Sequence, residues 1–407
     1  MSLQVLIHTV SQKINQSEEV TFEKLLKITE IVKNELFSVK RLIKYNFSEE
    51  EVNKILTELI MEEHLSPYFA YSCEHNGCSD IAVSMYDKCD FCGNILREDE
   101  TNHTIQRRYK LNSDFIQLIK DKKESNLQKY VSEDYKLNLQ ALVGDSTRIV
   151  PFLGAGISVP LGLPDWKGLL ECFDSGLHGD DKYQYQKLVK KGSYLRAITF
   201  LQRYSGHYKE ERIIKRKIKQ MIEEKYEKGI DTNRHNVKDI LNLGSSFYIT
   251  TNYDMALTDY RSENVSPYCL NDIEDIQDFI YENKQRVIHL HGHVDKPSTM
   301  IVTQGNYEEM YDNAGVKDIL KSIMGNKKFL FIGFSFNDEY FKDLYEKIIK
   351  NIGGEHYIIT PNLHVFESED LSQHHLIPIG INVKEDNGVL DTQDYVKAIK
   401  TVLEQLL

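Results

Sequence analysis

Two groups of residues in this chain have types and spacings suited to chemistry. The first is Gly154-Ala155-Gly156-Ile157-Ser158, which directly follows the apolar run Ile149-Val150-Pro151-Phe152-Leu153. Glycines just after a strand permit a tight turn and let backbone N–H groups approach a phosphate closely. A helix or turn starting there adds a favourable dipole for an anion. The pattern is that of a cradle for a nucleotide pyrophosphate. It is not the dehydrogenase fingerprint, because Val159 occupies the sixth position, where a third glycine is required, and hydride transfer is therefore disfavoured. The second group is Cys73, Cys78, Cys89 and Cys92, in a C-x4-C-x10-C-x2-C pattern. Cys89-Asp90-Phe91-Cys92-Gly93 reads as a tight knuckle, with glycine freeing the backbone after the second thiolate. Four thiolates in two close pairs suit tetrahedral Zn2+ in a structural role, with no coordination position left for catalysis. His75 could replace one of the cysteines, although an exposed histidine is the plainer reading.

The elements that position these groups follow from periodicity. Residues 149–153, 246–250, 286–290 and 328–332 are apolar runs, each ending in small or polar groups: Thr251-Asn252-Tyr253-Asp254 after the second, His291-Gly292-His293 after the third, and Gly333-Phe334-Ser335-Phe336-Asn337-Asp338 after the fourth. Helical stretches separate them, which is the alternation of a mostly parallel α/β sheet. Ligands of such sheets bind beyond the carboxyl ends of the strands, so these ends are expected to converge on one cleft. Tyr357-Ile358-Ile359 and Leu363-His364-Val365-Phe366 are expected to add later strands, and Tyr395, Val396, Ile399, Val402, Leu403 and Leu406 a closing amphipathic helix. Residues 168–243 read as a long helical insertion. Its middle, 182–228, holds 14 Lys+Arg against 5 Asp+Glu, with Tyr183, Tyr185, Tyr194, Tyr204 and Tyr208 interleaved. A solvated helical subdomain with tyrosines on its inner face is the preferred reading over base stacking.

Upstream, Phe22, Leu25, Leu26, Ile28 and Val32 form one helical face. A second helix begins at Ser48, with Glu51 placed for a capping box and Val52, Ile55, Leu56, Leu59 and Ile60 in one stripe. Residues 65–71 look extended. Residues 1–110 are therefore expected to form a winged-helix-like domain carrying the zinc ribbon, and 111–146 a helical connector. Residues 1–110 contain 13 Lys+Arg against 18 Asp+Glu, and the whole chain of 407 residues has a formal net charge of −12. DNA affinity rests on phosphate neutralisation, so protein docking is expected here rather than direct nucleic-acid binding. No apolar run approaches the roughly 20 residues of a membrane span. The N-terminus lacks the basic start and apolar centre of a secretory signal, and clustered cysteines point to metal rather than disulfides. A cytoplasmic protein is expected.

Taken in order, Gly154-Ala155-Gly156-Ile157-Ser158 with Gly162-Leu163-Pro164-Asp165-Trp166, Thr251-Asn252-Tyr253-Asp254, Leu290-His291-Gly292 and Gly333-Phe334-Ser335 resemble the motifs of the sirtuin superfamily. The tryptophan, the Thr-Asn-Tyr-Asp sequence and Gly-Phe-Ser-Phe-Asn-Asp are closer to the bacterial sirtuin-like NADases of anti-phage defence than to protein deacetylases. The resemblance covers residues 148–407. It implies a Rossmann-like, mostly parallel α/β sheet over 147–407, with the winged-helix and zinc-ribbon-like domain before it. It also implies NAD as substrate, cleaved to nicotinamide and ADP-ribose. Carried over by residue, Gly154, Ala155 and Gly156 hold the pyrophosphate with Ser158 nearby. Asn252 orients the ribose and the attacking water, Asp254 lies near the nicotinamide amide, and His291 is the general base. Gly333 and Ser335 line the adenosine side, and Asp165 and Trp166 sit on a covering loop. His289 and His293 are expected to be structural.

The departures from the deacetylases are also informative. Those enzymes carry a four-cysteine zinc module after the Leu-His-Gly element, whereas residues 292–332 here contain no cysteine. The acyl-lysine groove is thus in doubt, and water is left as the nucleophile. A deacylase or ADP-ribosyltransferase using the same site is one competing reading; a non-enzymatic NAD- or ADP-ribose-binding regulator is another. The resemblance further implies a homo-oligomer held in a closed resting state, working with a separate partner of the HerA-type ATPase translocase kind.

Overall fold

The computed structural model describes residues 2–75, 77–173, 176–261, 267–273, 279–280, 284–335, 345–346 and 353–407. Phe336-Asn337-Asp338, the end of the last motif, lies outside the described residues. The chain divides into two units, Met1–Asn126 and Leu127–Leu407, so the expected 111–146 connector is shared between them.

The first unit opens with helices α1 (Leu3–Ile14), α2 (Glu18–Val32), α3 (Val39–Ile43) and α4 (Glu49–Met61). The Ser48 hydroxyl accepts the Glu51 N–H at 3.2 Å, which fixes the start of α4 where its sequence signal placed it. Strands β1 (Leu65–Cys73), β2 (Cys78–Ala82) and β3 (His103–Leu111) form an antiparallel sheet with β1 in the centre. Phe37, between α2 and α3, bridges to Tyr109 of β3, which ties the helices to the sheet. The core beneath them is built from Leu25, Ile28, Val52, Ile55, Leu59 and Phe115, among others.

The second unit is built on a seven-stranded, wholly parallel sheet. Its strands are β4 (Ile149–Leu153), β5 (Phe247–Thr250), β6 (Tyr268–Cys269), β7 (Arg286–His289), β8 (Lys328–Ile332), β9 (His356–Pro361) and β10 (Leu376–Ile381), in the spatial order β10-β9-β8-β4-β5-β7-β6. Every residue of β4, β5 and β7 is buried, as covered parallel strands require. Successive residues serve opposite faces. Ile149, Leu153, Tyr248, Leu330 and Ile332 pack in a core with Leu139, Leu142, Ile399 and Val402. Val150, Phe152, Ile249, Phe329 and Phe331 pack in another with Tyr307, Tyr311, Leu320 and Ile323. The chain leaves β4 towards β5 on one side and returns to it from β8 on the other. The switch point of the sheet therefore lies at β4, where open α/β sheets bind ligands.

One expected strand is a helix. Residues 363–366 do not extend the sheet; His364 caps a helix spanning Val365–Gln373, with its backbone N–H reaching the Glu367 carboxylate. A short apolar run cannot by itself separate a strand from a helix start, and the cap chemistry decided it. The following Leu376–Ile381 segment supplies the edge strand instead. The closing helix, Thr392–Leu403, is as expected. In the insertion, helices spanning Gly179–Lys190, Tyr194–Tyr204 and Glu211–Lys225 share a core with Leu163, Tyr253, Met255 and Met300 from outside it, to which Tyr185 and Tyr208 contribute. Tyr183 and Tyr204 are exposed.

Candidate active site

The four motif ends lie on four adjacent strands, β8, β4, β5 and β7, and the sheet ladder runs on into their loops. Gly154 N–H donates to the Ile332 carbonyl at 2.9 Å, Gly156 N–H to Gly333 at 2.9 Å, Thr251 N–H to Leu153 at 3.1 Å and Leu290 N–H to Thr250 at 2.8 Å. Gly333 has a φ of +79°, and a Cβ there would meet the Ile157 nitrogen at 2.8 Å; one on Gly154 would meet the Gly333 carbonyl at 2.6 Å. The glycines of the two loops thus permit the close approach of two backbones, and the amides of Gly154 and Gly156 are committed to it.

In front of this packed junction lies an open cleft. It is lined by Ala155, Ser158, Asp165, Trp166, Asn252 and Asp254 from the expected set, together with Thr251, Tyr253, Leu163, Pro164, Leu169 and Ile222. Asp165 caps the helix spanning Trp166–Glu171 by accepting the Gly168 N–H at 2.7 Å, which sets the angle of the covering segment. Trp166 stacks on Tyr194 with ring centroids 6.3 Å apart and meets Tyr253 edge-on at 5.8 Å. The polar floor is a relay. Asn252 Nδ2 donates to the Gly154 carbonyl at 2.9 Å and to Ser158 Oγ at 2.8 Å. Ser158 Oγ donates to Asp254 Oδ2 at 2.6 Å, and Asp254 Oδ1 accepts the Ala256 N–H at 3.0 Å. Both amide hydrogens of Asn252 are used, so the polar atom it can offer a ligand is Oδ1, an acceptor. Burial raises the Asp254 carboxyl above its ordinary range, against the pull of Ser158 and the Ala256 amide.

The expected residues do not all meet at this cleft. His291 is fully buried and not among the lining residues; its Nε2 contacts the Tyr311 hydroxyl, and Tyr307 and Tyr311 meet it edge-on. Burial alone pushes its pKa down to about 3, so the imidazole is neutral. Gly333 supports the cradle from behind, and Ser335 is exposed beyond it. His289 lies behind Asn252, with Nδ1 3.0 Å from the Asn252 carbonyl. Its pKa is depressed to about 4 by burial. Ile222, on the wall of the cleft, comes from the insertion some 30 residues before Asn252 in the chain, and Tyr311 from a helix spanning Gln304–Asp312. Neither has a sequence signal beyond helical periodicity.

In the first unit the cysteine cluster differs from the four-cysteine expectation. Cys73, Cys89, Cys92 and His103 bring their ligand atoms within 4.8 Å of one another, while Cys78 is exposed and outside the group. Cys78 on edge strand β2 and His103 on β3 both lie opposite Cys73 of central strand β1, but the His103 side chain is buried beside Cys92, whereas Cys78 is exposed.

Residues 246–379, which carry the last three of these strand ends, match the family model of the SIR2-like domain. Among curated proteins, the NAD(+) hydrolase ThsA of Cytobacillus dafuensis is 27% identical to the chain over 231 residues, covering 54% of this chain and 42% of that protein. The NAD(+) hydrolase ThsA of Enterococcus faecium is 24% identical over 273 residues, covering 61% of this chain and 54% of that protein. The chain thus spans about half the length of these relatives. Among the described residues, no helix is long and apolar enough to cross a membrane.

Proposed function

We propose that the SIR2-like domain is an NAD+ glycohydrolase. The observation that carries this reading is the Asn252–Ser158–Asp254 relay at the floor of the cleft, below the switch point of the sheet. Nicotinamide leaves a cationic ring as a neutral base, so the bond from the ribose carbon to the ring nitrogen breaks without a strong general acid. The ribose carbon becomes oxocarbenium-like, as in glycoside hydrolysis, and water supplies the new C–O bond. Asn252 Oδ1 accepts from that water, or from a ribose hydroxyl, without competing as a nucleophile. Ser158 and Asp254 hold the amide in place, and Trp166 and Leu163 exclude bulk solvent. The neutral imidazole of His291 is the acceptor for the released proton. It reaches the reaction once Tyr311 no longer contacts its Nε2, and the conformation described here is read as the resting one. The two hydrolases of similar sequence support the same chemistry.

The wider reading has the chain deplete NAD as an effector in anti-phage defence, following the resemblance of its motif set. In it the protein is a cytoplasmic homo-oligomer, released by a separate partner of the HerA-type ATPase translocase kind, with structural zinc in the first unit. Docking by that unit is to protein rather than DNA, because α4, the second helix of its helix pair, opens with Glu49, Glu50 and Glu51. Chromatographic product analysis tests the chemistry. Nicotinamide and ADP-ribose released from NAD alone support hydrolysis. Turnover only with an acetyl-lysine peptide, giving an acetylated ADP-ribose, makes the enzyme a deacylase.

A further inference from the structure

We infer that Cys73, Cys89, Cys92 and His103 bind one zinc ion in a closed, structural Cys3His site, and that Cys78 is not a ligand. The inference is independent of the NAD reading.

Among the described residues, this is the one group of three or more His, Cys, Asp and Glu side chains whose ligand atoms converge. The spacing fits the ion. With Zn–S near 2.3 Å and Zn–N near 2.05 Å, a tetrahedral site puts sulfur and nitrogen about 3.6 Å apart. Cys92 Sγ and His103 Nε2 are 3.5 Å apart. The backbone fixes each donor. Cys73 and His103 face each other in the β1–β3 register; Cys78 faces Cys73 across β1–β2 but is exposed, and its thiol lies outside the converging group. Cys89 and Cys92 sit on a knuckle closed by Gly93 N–H to the Cys89 carbonyl at 2.9 Å, with Gly93 at φ +75°. Phe91 N–H donates to Cys89 Sγ at 3.4 Å, the kind of amide contact that supports a thiolate ligand.

The histidine is oriented as a ligand. Its Nδ1 lies 2.8 Å from the Asp99 carbonyl, which can only accept, so Nδ1 carries the proton and Nε2 presents a lone pair to the sulfurs. Asp99 is itself held by Asn94 and Asn102, at 2.8 and 2.6 Å. The imidazole is fully buried, as are Cys73 and Cys89, so the site offers no substrate position.

The surrounding subdomain also needs the ion. Its buried apolar core is only Tyr71, Cys73, Ala82, Cys89 and Leu96, and two of these five are ligands. So small a core does not hold a loop of this length without a staple. Three thiolates and one imidazole select zinc over harder cations.

The test uses the full chain. Metal content by mass spectrometry is expected to be one zinc per chain, with three sulfurs and one nitrogen in its X-ray absorption shell. Cobalt(II) substitution should give thiolate charge-transfer bands of three-thiolate intensity. Cys78→Ser keeps both stoichiometry and spectrum. His103→Ala loses zinc to a chelator at least 10-fold faster. Should His103→Ala fail to fold, His103→Cys retains zinc and converts the shell to four sulfurs. A native four-sulfur shell that changes in Cys78→Ser overturns the assignment. So does a folded chain that holds no zinc and takes up neither zinc nor cobalt.

Discussion

Ser158 joins the two residues of the cleft floor that do not touch each other, so Ser158→Ala isolates the relay. The hydroxyl is buried, 2.6 Å from Asp254 Oδ2 and 2.8 Å from Asn252 Nδ2. Its removal leaves Asp254 Oδ2 without this donor, which costs about 2–3 kcal/mol. In a unit of this size that lowers the melting temperature by about 4–10 °C. Asn252 keeps only its bond to Gly154, so its Oδ1 is less well aimed. A displacement approaching 1 Å lowers kcat by up to about 100-fold, with KM changed by less than about 3-fold. The pH dependence has a definite sign. Burial raises the folded-state pKa of Asp254, so its contribution to stability is complete below the unfolded value near 4 and is lost as pH rises through the folded value. Loss of Ser158 raises that pKa further, and the melting deficit of the variant grows with pH. The assay is nicotinamide release with thermal melts at several pH values, for Ser158→Ala, Asp254→Asn and the double variant. Coupling predicts that the two losses are not additive. A Ser158→Ala protein with native kcat and melting temperature, or strict additivity of the two losses, refutes the relay.

Tyr311→Phe removes the partner of His291 Nε2, so we expect it to destabilise the fold by about 1–3 kcal/mol and to raise basal NAD turnover; reduced turnover with unchanged stability contradicts the resting-state reading. The second unit should lose stability on mild acidification. His289, His291 and His356 have pKa values depressed by burial to about 4, 3 and 4, so their neutral forms stabilise the fold above the unfolded value near 6.5, and that contribution is lost as pH falls towards 3. With three protons taken up on unfolding, the slope approaches 4 kcal/mol per pH unit near pH 5. Urea titrations between pH 7.5 and 5 measure it, and a flat profile contradicts the burial assignments. Gly333→Ala forces a side chain onto a backbone at φ +79° and against the Ile157 nitrogen, so it should destabilise by about 1–3 kcal/mol or more and weaken NAD binding; chemical denaturation with calorimetry checks both.

What the sequence conveyed well was set by local chemistry. The runs at 149–153 and 328–332 became strands with those bounds, and the polar groups after them and after 246–250 and 286–290 lie on adjacent strands because apolar runs and their breaks are local signals. The order of the strands was not local. It follows from which crossovers pack on which face, and it is what gathers Asn252, Ser158 and Asp254. Burial was the other hidden quantity. His291 is expected as the general base of the cleft, whereas its fully buried place beside Tyr307 and Tyr311 is set by residues 16 and 20 positions away. Cys78 belonged to a convincing spacing but lies on an edge strand. Cys73 has both Cys78 and His103 as cross-strand neighbours, and spacing along the chain does not disclose which of them turns towards Cys89 and Cys92.

The central claim is that Asn252 serves the chemical step rather than NAD binding. Its most direct test is NAD affinity by calorimetry beside single-turnover nicotinamide release, for native protein and Asn252→Ala. The account predicts affinity within a few-fold of native and release slowed at least about 100-fold. Native release rates in Asn252→Ala, or loss of NAD binding sufficient to explain the slower release, contradict it.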